Sequence, residues 1–125
     1  MVSLLVVALL GAAGGLGAVA RYTLAEWMAR RWRGVFPLAT LVINVTGAFA
    51  LGVLLTMGLG GAQMTLRAVV GTGFLGGYTT FSALSLETLT LTRRGHSTLA
   101  WLNTLGSLAV GLLAVVAGIG IGRLL

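Results

Sequence analysis

Four apolar runs, each long enough to cross a bilayer, leave this 125-residue chain few folds to choose from. They are Val2–Ala20, Phe36–Leu59, Ala68–Leu91 and Leu99–Ile121. A hydrocarbon core about 30 Å thick takes about 20 helical residues to cross. Each run is hydrophobic on all sides rather than along a stripe, which is the pattern of a membrane helix and not of a soluble amphipathic one. Only 8% of the residues are charged, against about 25% in a soluble domain. The predicted fold is an all-α membrane protein, with four transmembrane helices in one domain covering 1–125. The connections are an arginine-rich loop at 21–34, a Gly-rich turn near 58–66, and Arg93-Arg94-Gly95-His96.

The few charged residues exclude several functions. Eight arginines, no lysine, and the acids Glu26 and Glu87 give a net charge of +6. That charge lacks the basic face with interleaved aromatics that nucleic acid requires, so no nucleic-acid partner is expected. The arginines instead flank apolar runs, as in membrane proteins. With no cysteine, one histidine and two separated acids, the chain has no thiolate chemistry and little acid–base machinery. It does not read as an enzyme. Ala18-Val19-Ala20 imitates a leader-cleavage site, but Met-Val-Ser carries no positive charge and the apolar run is long for a leader. No cleavage is expected there. "GGLGAVAR" at 14–21 imitates a phosphate loop without the preceding strand or the lysine.

Glycines have a plainer use in a membrane, as small-xxx-small pairs that let helices approach closely. Gly11–Gly15, Gly14–Ala18, Ser107–Gly111 and Gly118–Gly122 fit it. "GTGFLGGYTTFS" at 71–82 does not, because four glycines, three threonines and a serine are too concentrated for one packing face. Irregular backbone at membrane depth survives only where protein buries it or a watery cavity solvates it. Broken helices there coordinate ions through freed carbonyls. The third helix is therefore expected to break near Gly76-Gly77 and to resume around Thr80.

Other spans carry polar stripes, and intramembrane polar groups face a partner or a pathway. Thr40 and Asn44 are four residues apart on one helical face, with Gly47 a turn later. Asn103 and Ser107 repeat that spacing in the fourth span, and Thr79, Thr80, Ser82 and Ser85 surround Phe81 in the third. Hydroxyl and amide donors, the positive edge of an aromatic ring and Arg21 suit a small anion that accepts strong hydrogen bonds. They do not name it.

"GGLGAVARY" at 14–22, "PLATLVINVTG" at 37–47 and "GFLGGYTTFS" at 73–82 resemble, in order, three signature segments of the Fluc (CrcB) fluoride channels. The resemblance covers essentially the whole chain. It implies passive, selective fluoride export across the cell membrane, relieving the load that builds when HF enters and dissociates inside. It implies an antiparallel dual-topology dimer with two pores. A structural Na+ on the two-fold axis would be held by main-chain carbonyls matching Gly76 and Thr79 of both subunits. It assigns the ion pathway to Asn44, Phe81, Thr80, Ser82, Ser107 and Arg21, with Thr40 on the same stripe as Asn44.

The chain departs from the family pattern twice. Leu84 stands where a second pore phenylalanine is usual, and Asn103 stands where an aromatic precedes the last-helix serine. The role of Glu87, which matches an acid of the same helix, stays open. Dual insertion is in tension with the arginines. Six lie at 21–34 and 92–98, against Arg67 and Arg123 opposite, which for the chain alone favours both termini outside. A homodimer is the expected assembly, with a paired family subunit of opposite orientation as the alternative. The rival functions are a small proton-coupled drug exporter, which needs an ionisable pore group that only Glu87 could supply, and a non-transporting scaffold.

Overall fold

The structure, a computed structural model, describes residues 3–58 and 63–125. All regular structure among them is helical. Helix α1 is Leu4–Ala29, α2 is Leu38–Thr56, α3 spans 63–78, α4 is Phe81–Arg93 and α5 is Ser97–Gly122. Three of these, α1, α2 and α5, are each long and apolar enough to cross a membrane. The expected ends at Val2 and Leu59, and residues 59–62 of the expected turn near 58–66, lie outside the described residues, while 63–66 already belong to α3.

Local chemistry sets the helix ends. Ser3 opens α1, its Oγ accepting from Val6 N at 3.2 Å. The arginine-rich segment is not a loop throughout, because α1 continues to Ala29 through Arg21, Tyr22 and Glu26. No helix breaker stands in that segment before Gly34 and Pro37, so the polar residues ride the helix out of the apolar run. Trp32 Nε1 then donates to Phe36 O at 2.7 Å, closing the short turn into α2. At the far end of α2, Arg67 donates through Nε to Leu54 O (3.1 Å) and through Nη2 to Met57 O (3.0 Å). A cation thus satisfies carbonyls that the last helical turn leaves unpaired. Gly95 takes φ +82°, while His96 N donates back to Leu91 O at 2.8 Å, turning α4 tightly into α5.

Helices α1 and α3 pack together, and α2 packs along α5. Lipid tails are as apolar as leucine, so backbone closeness rather than hydrophobic exclusion drives such pairs. Side chains bigger than hydrogen would prevent it at particular positions. A Cβ on Gly17 or Gly77 would strike the facing backbone of Phe74 or Gly14, and one on Gly118 or Gly122 would strike α2. The proposed pair Gly118–Gly122 is therefore a packing face. At Gly11, Gly15 and Gly111 a Cβ would meet nothing within 4 Å, so these glycines make no close approach within the protomer.

Two π-helical stretches interrupt regular winding, Ala68–Leu75 within α3 and Leu102–Gly106 within α5. Gly76 and Gly77 remain helical. The departure comes two residues later than expected, at Thr79 (φ −79°, ψ 158°) and Thr80 (φ −148°, ψ 123°), both extended.

Candidate functional site

The extended pair Thr79–Thr80 would leave several backbone groups unpaired, and the fold supplies a partner for most of them. Asn44 on α2 faces it with both amide atoms. Its Nδ2 donates to Thr80 O and its Oδ1 accepts from Thr80 N, each at 2.9 Å. The side chain thereby imitates a neighbouring strand. Thr80 Oγ1 accepts from Ala83 N at 3.2 Å and so opens α4 as its N-cap. Thr79 sends both its N–H and its hydroxyl to Leu75 O, at 2.9 Å each. Arg21 on α1 donates Nε to Gly77 O at 3.3 Å.

Carbonyls are left over at the break, those of Gly76 and Thr79 among them, since Ala83 N, the helical donor to Thr79 O, goes to Thr80 Oγ1 instead. In an unbroken helix Thr80 N would donate to Gly76 O, but that N–H is engaged by Asn44. Gly76 is exposed, and a Cβ built on it meets nothing within 4 Å. A carbonyl released from helical pairing is a hard oxygen donor of the kind that suits a hard cation. The residues present therefore fit a sodium ion held by main-chain oxygens.

Six of the expected site residues share one cleft of about 410 Å³, namely Asn44, Gly76, Thr79, Thr80, Phe81 and Leu84. Phe81, the first residue of α4, is 80% exposed. Ser82 reaches Thr80 Oγ1 at 3.2 Å but does not line the cleft. Arg21, Thr40 and Ser107 lie outside it as well. Thr40 is buried, 6% exposed, with its side chain beside the Glu87 carboxyl. Ser107 Oγ is buried with no hydrogen-bond partner.

Some polar contacts were not anticipated. Thr46, one residue before Gly47, joins its hydroxyl to Tyr78 OH at 2.9 Å and so ties α2 to the end of α3. Asn103 and Ser107 both turn polar atoms inward, where Asn103 Oδ1 and Ser107 Oγ are buried without a hydrogen-bond partner. Asn103 sits in the π-helical stretch, and its Nδ2 donates to Thr88 Oγ1 on α4 at 3.0 Å. Nothing in the sequence marks the wider π-helical turn or the Thr88 partner.

Comparison with known proteins places the chain. The family model described as CrcB-like protein, Camphor Resistance (CrcB), matches residues 6–119. A protein of Roseiflexus sp. (strain RS-1) named fluoride-specific ion channel FluC is 43% identical over 112 residues, covering 88% of this chain and 90% of its own length. The fluoride-specific ion channel FluC 2 of Moorella thermoacetica is 42% identical over 108 residues, 86% of this chain and 88% of its own. The FluC of Rhizobium meliloti is 42% identical over 117 residues, 92% of this chain and 94% of its own. With matches of this length and identity, the chain belongs to the CrcB-like family.

Proposed function

We propose that this chain is a fluoride-selective channel of the cell membrane, conducting passively as an antiparallel dimer, and not an enzyme. Relatives at 42–43% identity carry the name fluoride-specific ion channel over nearly their whole length, which supports the same cargo here. In this reading the chain crosses the bilayer four times, and the third crossing is 63–93, broken at Thr79-Thr80. The observation that carries the reading is the two-bond pairing of Asn44 with the Thr80 backbone beside an exposed aromatic ring. It holds irregular backbone open at a depth where lipid could not satisfy it.

The chemistry of conduction follows from donors that remain unspent. An asparagine amide has two N–H groups, and Asn44 uses one on Thr80 O, leaving the second for an anion in the cleft. Phe81 presents a ring edge of positive character, which helps a small anion shed water. Ser82, beside the cleft, and Ser107, whose buried hydroxyl has no partner within the protomer, are the further donors this reading assigns to the path. Arg21, anchored through Nε, keeps its terminal nitrogens to raise the local anion concentration. Leu84 lines the cleft without supplying charge, and Thr40, buried one turn before Asn44, backs the path from outside the cleft. Gly76 and Thr79 of both subunits would hold the sodium ion, which would lock the two breaks together at the dimer axis.

Purified protein in liposomes loaded with fluoride or chloride tests the proposal. Fluoride efflux with chloride retained is the expected result. Equal efflux of both ions defeats selectivity, and no efflux of either leaves a scaffold.

A further inference from the structure

The end of α1, the turn into α2 and the last turns of α4 enclose a hollow of about 360 Å³, apart from the cleft at Asn44. Met28, Trp32, Phe36, Leu38, Leu86 and Leu91 supply most of its wall, and Arg94 joins them where α4 ends.

The other polar side chains of the wall are already engaged. Trp32 Nε1 donates to Phe36 O at 2.7 Å, and Thr90 Oγ1 donates to Leu86 O at 2.9 Å. Glu87 forms part of the wall, but its carboxyl takes the Thr40 hydroxyl and its Oε1 is buried. Arg94 differs. The guanidiniums of Arg21, Arg31 and Arg67 bond to carbonyls of the protein. That of Arg94 donates to no group among the described residues, and the side chain is exposed. Seven residues separate Arg94 from Glu87, about 10 Å along the helix axis, so an anion beside Arg94 is kept clear of that carboxyl.

A ligand that fits this hollow has an apolar body and one anionic acceptor at its end. Its place in the membrane narrows the choice. Trp27, Trp32 and the arginines Arg30, Arg31, Arg33, Arg93 and Arg94 are all exposed at this end, the mixture of aromatic and cationic residues that sits at headgroup depth. An anionic phospholipid meets both demands. Its acyl chain passes from the bilayer onto an apolar wall, and its phosphate accepts from a guanidinium.

We propose that the hollow between α1 and α4 binds one anionic phospholipid per subunit, with the phosphate on Arg94 and an acyl chain against Trp32. The site requires the chain to lie in a membrane and is independent of the ion it conducts.

Quenching of tryptophan by lipids brominated on their acyl chains tests the site, because Trp32 is in the wall. The full chain carrying Trp27→Phe and Trp101→Phe keeps Trp32 as its one tryptophan. It is reconstituted in phosphatidylcholine vesicles containing a small share of brominated phosphatidylglycerol or of brominated phosphatidylcholine. The phosphatidylglycerol should quench Trp32 at about one fifth of the concentration that phosphatidylcholine needs. Arg94→Gln should remove most of that preference. Arg30→Gln, exposed at the same end but not on the hollow, should keep it. Equal quenching by the two lipids refutes the site. An equal loss in Arg30→Gln also refutes it, since attraction by the whole cationic end would then explain the preference. A Trp32 that neither lipid quenches refutes it as well, because protein, such as a second copy of this chain, would then fill the hollow.

Discussion

Replacing Asn44 with alanine removes two 2.9 Å hydrogen bonds at once and strands both Thr80 N and Thr80 O. A buried unsatisfied polar group costs about 1–3 kcal/mol, so the pair is worth about 2–6 kcal/mol. Thr80 is half-buried rather than enclosed, and water can satisfy part of what is lost. The low end, about 2 kcal/mol, is therefore the appropriate figure. At tenfold per 1.4 kcal/mol this is about a 30-fold larger population of the opened segment. Native-state hydrogen exchange on the peptide containing Thr80 should accelerate by about that factor, while peptides from the α2–α5 interface stay protected. Fluoride efflux should fall in the same variant, because the donor in the cleft goes with the brace. Unchanged exchange at Thr80 would refute the bracing role, and unchanged exchange together with unchanged efflux would favour an inert scaffold.

Other substitutions separate packing from conduction. Gly17→Ala should cost about 1–3 kcal/mol in thermal unfolding, because the new methyl collides with the Phe74 backbone. Gly15→Ala, which meets nothing within 4 Å, should leave the protein unaffected, and equal losses would contradict the packing assignment. Phe81→Ala should abolish fluoride efflux yet keep helix content, because an 80% exposed ring leaves no cavity behind in the protomer. Wild-type flux in that variant would remove the ring from the pathway. Leu84→Phe adds a second positive ring edge to the cleft and should speed fluoride efflux. A slower variant would mean that the cleft is already filled at this position.

The helices were legible in the sequence because a run of about 20 apolar residues has no stable alternative in lipid or water. Their ends were less so. Arg21, Tyr22 and Glu26 suggested a loop, yet polarity does not break a helix, and only Gly34 and Pro37 carried a true stop signal. The dense glycines and threonines of 71–82 marked the irregular segment, but the extended residues fell at Thr79-Thr80 rather than at the glycine pair. What holds them is Asn44, 36 residues away in the chain, a tertiary fact that local pattern cannot contain. The Asn103 contact was hidden for a different reason. A π-helical turn changes which side chains share a face, and period counting presumes the α-helical 3.6.

The structure also changes how the arginines bear on membrane orientation. Arg21 is part of α1 and donates to Gly77 O, so it is a structural cation rather than a loop charge. Arg67 closes the carbonyls at the end of α2. Arg30, Arg31, Arg33, Arg93 and Arg94 remain at one end and Arg123 at the other, so the asymmetry persists once the engaged cations are set aside. Arg31 is further fixed over the Trp27 ring at 4.1 Å, the position of an interfacial anchor. An antiparallel homodimer must therefore insert half its copies against this bias. Reporters of opposite sidedness fused to the C-terminus should be active on both faces if it does. Replacing Arg93 and Arg94 by glutamine should then shift the ratio between the faces without abolishing flux. Activity on a single face would sink dual insertion for this chain alone, and fluoride flux would then require a partner subunit of the opposite orientation.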